Sequence, residues 1–370
     1  MSASSNIEWC DSTFNPWTGC AKVSPACDHC YAEGWSKRAG ARVGKWGAGA
    51  PRVRTVPANW RHPVVWNETP FSCCQSCRWR GETRQCISVP HPDDQMPTRG
   101  CPACKSAGVR DARRRVFCAS LADWLDNEVP IDWLVDLLDL VRTTPALDWL
   151  LLTKRIGNLG RIATAAMVAN QRGNEDLRAW CVDWWSNRKP PANVWLGITV
   201  CDQKEAGRDI PKLLDAPAAK RFLSMEPLLG PVQLPLYIDP ARSGAFDVWT
   251  PGIDWVIVGG ESGPGARPMH PAWARSLRDQ CAEVGVPFLF KQWGEWSPRA
   301  AICGAGQDFQ TLDPQCTRWP DVIRLGEHGR DTRMTENCTA DAGEDVFVQR
   351  VGKKAAGRLL DGRTHDGFPS

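Results

Sequence analysis

The chain has 370 residues, 42% of them hydrophobic and 24% charged, with a net charge of +3. This is the composition of a globular protein able to bury a large core, as one barrel-sized domain with an insertion or as two domains. It contains no run of about 18 apolar residues, which argues against a membrane span, and so small a net charge does not by itself indicate nucleic acid.

The opening, Met1-Ser2-Ala3-Ser4-Ser5-Asn6, lacks a basic region followed by an apolar stretch. The expectation is therefore a cytoplasmic protein, whose 17 cysteines are thiols and metal ligands rather than disulfides. A first strand is expected before Thr18. Cys20, Cys27 and Cys30 follow in a C-x6-C-x2-C run. Three thiolates can hold three irons of a four-iron cluster and leave one iron open. A structural zinc ion normally has four closed ligands, and Cys10 or His29 would then supply the fourth.

No acidic residue occurs from Gly34 to Trp66. Arg38, Arg42, Lys45, Arg52 and Arg54 are interleaved there with Trp46 and Trp60, a pattern suited to neutralising phosphates and stacking on bases. The competing expectation is solvated arginines with tryptophans packed beneath them.

Residues 72–106 read as an insertion. Cys74 and Cys77 form one C-x2-C pair, Cys101 and Cys104 a second, with 23 residues between. Each pair can turn both sulfurs toward one ion, so the insertion is expected to be a zinc ribbon that the metal keeps ordered. Cys73 and Cys86 are spare. The remaining divisions are an N-terminal part, 1–71, the rest of a barrel, 107–297, and a C-terminal region, 298–370.

Beyond the insertion, short apolar runs alternate with amphipathic stretches. Strands are expected at 115–118, 149–152, 194–198, 221–224, 255–258 and 287–290, with helices at 131–141 and 271–284. Six or seven strand–helix units predict an α/β fold, a partial or full β/α barrel, with its chemistry at the C-terminal ends of the strands. Polar residues fall at those ends: Ser120, Asp123, Lys154, Arg155, Thr199, Glu226, Glu261 and Lys291. Lys154, Arg155 and Lys291 would hold a carboxylate or phosphate, or else pair with Glu226 or Glu261. Residues 298–345 lack periodicity and carry Cys303, Cys316 and Cys338; they read as irregular. Gly352-Lys353-Lys354 lacks the full phosphate-loop signature and does not read as a nucleotide site.

Several segments carry a resemblance. They are Trp17 to Tyr31, Leu152-Thr153-Lys154-Arg155, Asn193 to Gly197, Ser224-Met225-Glu226-Pro227-Leu228, Gly259-Gly260-Glu261-Ser262-Gly263, Lys291-Gln292-Trp293-Gly294 and Gly352 to Arg358. Together they resemble a family of phage and prophage proteins with a three-cysteine motif. The cysteine loop also looks like a widened form of the C-x3-C-x2-C loop of radical S-adenosylmethionine (SAM) enzymes. Gly259-Gly260-Glu261 is similar to their glycine–glycine–glutamate motif, although it follows a late strand.

That resemblance implies a 4Fe–4S cluster on Cys20, Cys27 and Cys30, with SAM contacting Gly259, Gly260, Glu261, Ser120 and Asp123. It implies Glu226, Glu261, Lys154 and Lys291 as catalytic candidates, and an electron donor such as flavodoxin or ferredoxin. A 5′-deoxyadenosyl radical would act on a nucleobase or nucleotide. Two other expectations stand beside it: a zinc protein that binds nucleic acid or a partner, and a barrel hydrolase using Glu226 and Glu261 as acid and base.

Overall fold

A computed structural model describes residues 5–90, 97–234, 252–298, 322–326, 331–333 and 346–369. Seven strands form one all-parallel sheet whose spatial order is their order in the chain. They are β1 (Ser12–Phe14), β2 (Arg114–Cys118), β3 (Leu147–Thr153), β4 (Val194–Thr199), β5 (Lys220–Met225), β6 (Trp255–Gly259) and β7 (Phe288–Gln292). The six strands expected after the insertion are all present, and the one expected before Thr18 is β1.

Eight helices are described: α1 (Tyr31–Ala39), α2 (Pro57–Glu68), α3 (Ile131–Thr143), α4 (Arg161–Gln171), α5 (Glu175–Trp185), α6 (Gln203–Asp215), α7 (Pro271–Glu283) and the single turn α8 (Lys353–Ala356). α3 forms because Leu134, Leu137, Leu138 and Val141 recur at helical spacing and are all buried. α7 starts where expected, with Pro271 at its first position and the His270 ring accepting the Ala272 N–H.

Because every crossover steps to the next neighbour, the main helices cover one face of the sheet, where the larger core cluster lies. The opposite face must then curl around its own filling. Phe117, Leu150, Trp195, Phe222, Trp255 and Leu289 fill it, joined by Trp9 from the N-terminal segment. Trp9 packs 4.4 Å from Phe117 and 6.1 Å from Phe222, ring centre to ring centre. Each such buried ring contributes on the order of a few kcal/mol. Gly197 belongs to this layer, since a Cβ there would lie 2.2 Å from the Phe222 ring. β1 and β7 are not paired with each other, so the sheet is a half-barrel.

The free edge of β7 is covered by the C-terminal segment. Phe290 N–H donates to the His365 carbonyl and Gly367 N–H to the Phe288 carbonyl, both at 2.9 Å. Phe368 then closes the base of the half-barrel, 4.8 Å from Trp255 and 4.1 Å beneath the Arg115 guanidinium.

The insertion builds a three-stranded antiparallel sheet (Phe71–Cys74, Arg80–Glu82, Val109–Asp111) and a hairpin (Ile87–Pro90 with Pro97–Gly100). It is fastened at the N-terminal ends of the strands. Asp11, just ahead of β1, accepts two bonds of 2.9 Å from Arg80 and one of 2.7 Å from the Arg115 N–H.

The expectation of an irregular 298–345 needs correction. Its described residues contribute Val322–Leu325 and Asp331–Arg333 to a four-stranded antiparallel sheet with Trp296–Pro298 and Val346–Arg350. Ile323, Leu325 and Val348 form its small core, too few apolar positions to show as a period. Cys303, Cys316 and Cys338 lie outside the described residues.

Candidate functional site

A cavity of about 580 Å³ opens at the C-terminal ends of the strands. Its wall contains Cys20, Cys27 and Cys30, the strand-end residues Ser120, Asp123, Lys154, Glu226, Glu261 and Lys291, and Gly260 and Trp46. Residues spread over more than 270 positions of sequence thus share one chamber, of the size typical for a small-molecule site.

The three cysteines enter on a loop that is held tightly. Cys20 N–H donates to the Lys45 carbonyl (3.3 Å), and the Cys20 carbonyl accepts from Gly47 (2.9 Å). Gly44 permits this approach, because a Cβ there would lie 1.8 Å from the Thr18 carbonyl oxygen. Ser24 caps the short turn ending at Cys27, and Cys30 sits at the N-cap position of α1. Arg155 contacts the loop directly, with Nη1 3.4 Å from the Cys20 sulfur and Nη2 2.8 Å from the Ala21 carbonyl. Burial pushes the Cys20 thiol up to about 11, against the pull of Arg155.

Of the two residues offered as a fourth ligand, Cys10 is engaged elsewhere, while His29 lines the cavity with its buried Nδ1 lacking a hydrogen-bond partner among the described residues. Cys10 is buried, and its thiol lies 3.3 Å from the Ser5 hydroxyl. The His29 ring rests against Gly265, with Nδ1 3.6 Å from Glu261.

Most charged groups at the strand ends are already matched. Asp123 accepts from the Thr153 hydroxyl (2.7 Å), the Leu125 and Lys154 N–H groups (2.9 Å each) and Arg155 Nη1 (3.1 Å). Its lone pairs are occupied in joining the ends of β2 and β3, so Asp123 braces the cavity wall that it lines. Ser120 bonds Asn15 through its hydroxyl (2.9 Å) and the Tyr31 hydroxyl through its carbonyl (2.6 Å). Glu226 pairs with Lys291 at 2.9 Å. Gly259 makes that possible, since a Cβ there would lie 2.6 Å from Glu226 Oε1. The missing side chain thus accommodates a protein carboxylate rather than a ligand. Gly260 likewise lets the Trp293 carbonyl approach, which would be 1.9 Å from a Cβ.

Glu261 is gripped by Arg267, which donates from Nε (2.8 Å), Nη2 (2.6 Å) and its backbone N–H (2.8 Å). The same guanidinium reaches Asp28 Oδ2 (3.0 Å) and the Pro25 carbonyl (2.8 Å). Arg267 therefore ties the cysteine loop to the end of β6. Glu261 and Glu226 are thus both paired with cations, Arg267 and Lys291. Arg267 escaped the sequence reading because it stands in a Gly- and Pro-rich loop with no period; its only signal was a lone arginine six positions after Glu261. Lys154 lines the cavity with no carboxylate partner among the described residues.

The four cysteines of the insertion converge. Cys74 Sγ lies 3.6 Å from Cys104 Sγ and Cys77 Sγ 3.5 Å from Cys101 Sγ, and all four sulfurs fall within 4.8 Å of one another. Four thiolates about 2.3 Å from one tetrahedral ion would stand about 3.8 Å apart. The two pairs share one backbone form. Arg78 and Lys105, each just after the second cysteine, have positive φ (62° and 65°), and each N–H returns to the carbonyl of the first cysteine (3.0 and 2.9 Å). This group could hold a metal ion such as zinc. Cys73 points elsewhere, with Arg110 Nε 3.4 Å from its sulfur. Cys20, Cys27 and Cys30 are not among the groups whose ligand atoms lie that close together in the described residues.

The basic stretch is rearranged by folding. Arg52 is 8% exposed and pairs with Asp126 (2.8 Å) and Glu128 (3.0 Å). Arg54 pairs with Asp136 (2.6 Å) and lies 4.4 Å above Trp60, itself packed edge-on to Phe14. Lys45 donates to the Gly40 carbonyl (2.9 Å). The acidic residues around α3 come back onto this segment, so the charges of Arg52 and Arg54 are met within the protein. Arg38 and Arg42 remain exposed, and Trp46 lies on the cavity wall.

A parallel α/β half-barrel with a thiol-bearing polar chamber at its C-terminal rim, and a separate four-cysteine centre at its base, is the class of protein that these features define. The chain belongs to the family described as "Protein of unknown function (DUF5131)", whose model matches residues 4–369. Neither the curated proteins nor the solved structures contain a match to it.

Proposed function

We propose that this protein is a radical SAM-type enzyme acting on a nucleobase or nucleotide. The observation that carries this reading is the meeting of Cys20, Cys27 and Cys30 with the strand-end residues in one chamber, while the Cys10 thiol is taken up by Ser5. Three thiols on one loop suit a four-iron cluster with one open iron, whereas a closed zinc ion would need His29, whose Nδ1 has no hydrogen-bond partner among the described residues, as its fourth ligand. When bound, the cluster and SAM would supply a one-electron cleavage that yields a 5′-deoxyadenosyl radical.

The chain's own residues would then do three things. Arg155 sets a positive charge beside the Cys20 sulfur and braces its loop. Arg267 holds the segment between Cys27 and Cys30 against β6 through Asp28 and Glu261. The Glu226–Lys291 pair and the unpaired Lys154 offer polar contacts to substrate or cofactor on the far wall. The four-cysteine group would hold zinc as a structural ion.

The test is anaerobic reconstitution followed by iron and acid-labile sulfide assay, then incubation of the reduced protein with SAM. Four irons on Cys20, Cys27 and Cys30, with formation of 5′-deoxyadenosine, are expected. Zinc at the three-cysteine loop, with neither iron nor 5′-deoxyadenosine, would sink the reading.

A further inference from the structure

The turn Gly352-Lys353-Lys354-Ala355-Ala356-Gly357 is the one singled-out motif that the cavity chemistry leaves unexplained. It is a rigid ledge. Gly352 and Gly357 bound it with positive φ (84° and 69°), and Ala356 is buried beneath it. Gly352 N–H donates to the Glu295 carbonyl (3.1 Å), and the Trp293 N–H to the Gly357 carbonyl (3.1 Å). Glu295 N–H in turn bonds the Glu261 carbonyl (2.9 Å), so the ledge is fixed to the cavity wall.

Lys353 and Lys354 are exposed and have no carboxylate partner among the described residues, and Lys353 lines the main cavity. Of the strand-end cations, Arg155, Lys291 and Arg267 each hold an acid, and Lys154 alone shares the unpaired state of the ledge lysines. Apart from exposed Glu8, the carboxylates on the cavity wall are therefore already neutralised, and the two ledge lysines face solvent with their charge available.

The chamber, at about 580 Å³, has the volume of a single small-molecule site. A polymer cannot enter it, but one unit of a polymer can, provided the backbone stays outside. Tyr31, 59% exposed, and Trp46 give the same wall flat faces for a base.

We infer that the substrate is a single-stranded or locally unpaired nucleic acid. Its phosphodiester backbone rests on Lys353 and Lys354 while one nucleotide enters the cavity. This names the substrate class of the chamber and rests on the reading of that chamber as a reaction site. It replaces Arg52 and Arg54 with a different pair of cations. The turn acts through its side-chain charges, not as a backbone phosphate cradle.

The experiment is equilibrium binding of a fluorescent single-stranded oligonucleotide to the full metal-loaded protein over a series of salt concentrations. The wild type is compared with Lys353→Ala/Lys354→Ala and with Lys353→Arg/Lys354→Arg. The alanine pair should weaken binding at least roughly fivefold at low salt and reduce the log–log salt slope by about 1.4, two contacts at about 0.7 each. The arginine pair should keep the wild-type slope. Both variants change exposed side chains, and unchanged metal content and melting temperature will show that they fold.

An unchanged slope in the alanine pair overturns the proposal, as does wild-type protein that fails to bind the oligonucleotide. A free mononucleotide bound as tightly as the oligonucleotide, and equally sensitive to the alanine pair, also overturns it in favour of a small substrate. None of these readouts needs SAM cleavage, so a failure here is separate from a failure to form 5′-deoxyadenosine.

Discussion

Arg155 Nη1 stands 3.4 Å from the sulfur of Cys20 and 3.1 Å from Asp123 Oδ2, so one buried guanidinium joins the three-cysteine loop to the ends of β2 and β3. Its side chain and that of Asp123 are each 6% exposed. The Asp123 carboxylate and the Cys20 sulfur hold its charge more firmly than usual, against the opposing effect of burial.

Arg155→Ala should therefore destabilise the fold by about 3–5 kcal/mol, because it strands a buried carboxylate. It should also loosen the Cys20 loop. Arg155→Lys should recover little, since an ammonium cannot span Cys20, Ala21 and Asp123 together. Chemical denaturation and metal content per chain measure both effects. A wild-type denaturation midpoint in Arg155→Ala would refute the bracing role.

The three-cysteine loop and the four-cysteine group sit at opposite ends of the half-barrel, so on the proposed reading each should lose its metal independently. Cys74→Ser with Cys101→Ser should remove one zinc per chain and leave metal at Cys20, Cys27 and Cys30 unchanged. Replacing those three by alanine should leave the zinc in place. Elemental analysis of the purified variants decides it; loss of zinc on mutating the three-cysteine loop would show that the centres are coupled.

Gly259→Ala tests the Glu226–Lys291 pair. The new methyl group would stand 2.6 Å from Glu226 Oε1, the end of a flexible side chain. Folding should survive with a loss of about 1–3 kcal/mol, while Glu226 is pushed off Lys291. Lys291 should then react faster with an amine-directed reagent, as followed by mass spectrometry. Labelling at the wild-type rate would mean that the carboxylate did not move.

The C-terminal cover of β7 should be sensitive to pH. Burial, the largest cause, holds the His365 imidazole below its usual 6.5, although its Nε2 lies 3.3 Å from the Leu360 carbonyl. The unfolded chain therefore takes up the proton first as pH falls. Stability contributed at this site is present above about pH 6.5 and is lost as pH drops from there through the depressed folded value. Protection factors at the Phe290 and Gly367 amides, taken relative to the slowing intrinsic exchange, should fall over that range, and His365→Gln should remove the dependence. Exchange that is equally pH-dependent in His365→Gln would place the effect elsewhere.

The half-barrel was legible because strands buried on both faces are continuous apolar runs, as at Trp149–Leu152 and Trp255–Val258, and α3 repeats Leu and Val at helical spacing. The four-cysteine group was legible because ligands on one tight turn must be close in sequence: Cys74 with Cys77, Cys101 with Cys104. The convergence of Lys154, Glu226, Glu261 and Lys291 followed from the rule that strand ends share a rim.

Charge pairing was another matter, because a salt bridge is a relation between positions that nothing local connects. Arg52 read as a nucleic-acid contact until Asp126 and Glu128 folded onto it. Asp123 and Gly259 read as ligand contacts until Arg155 and Glu226 filled the space beside them. Arg267, 239 residues beyond Asp28, has no local signature at all. Residue spacing along the chain pointed to the four thiols of the insertion, since the turn within each pair is covalent and short-range. Which cavity charges stay unpaired emerged only on folding, when distant acids and bases met and cancelled, leaving Lys154 and Lys353 without a carboxylate partner among the described residues.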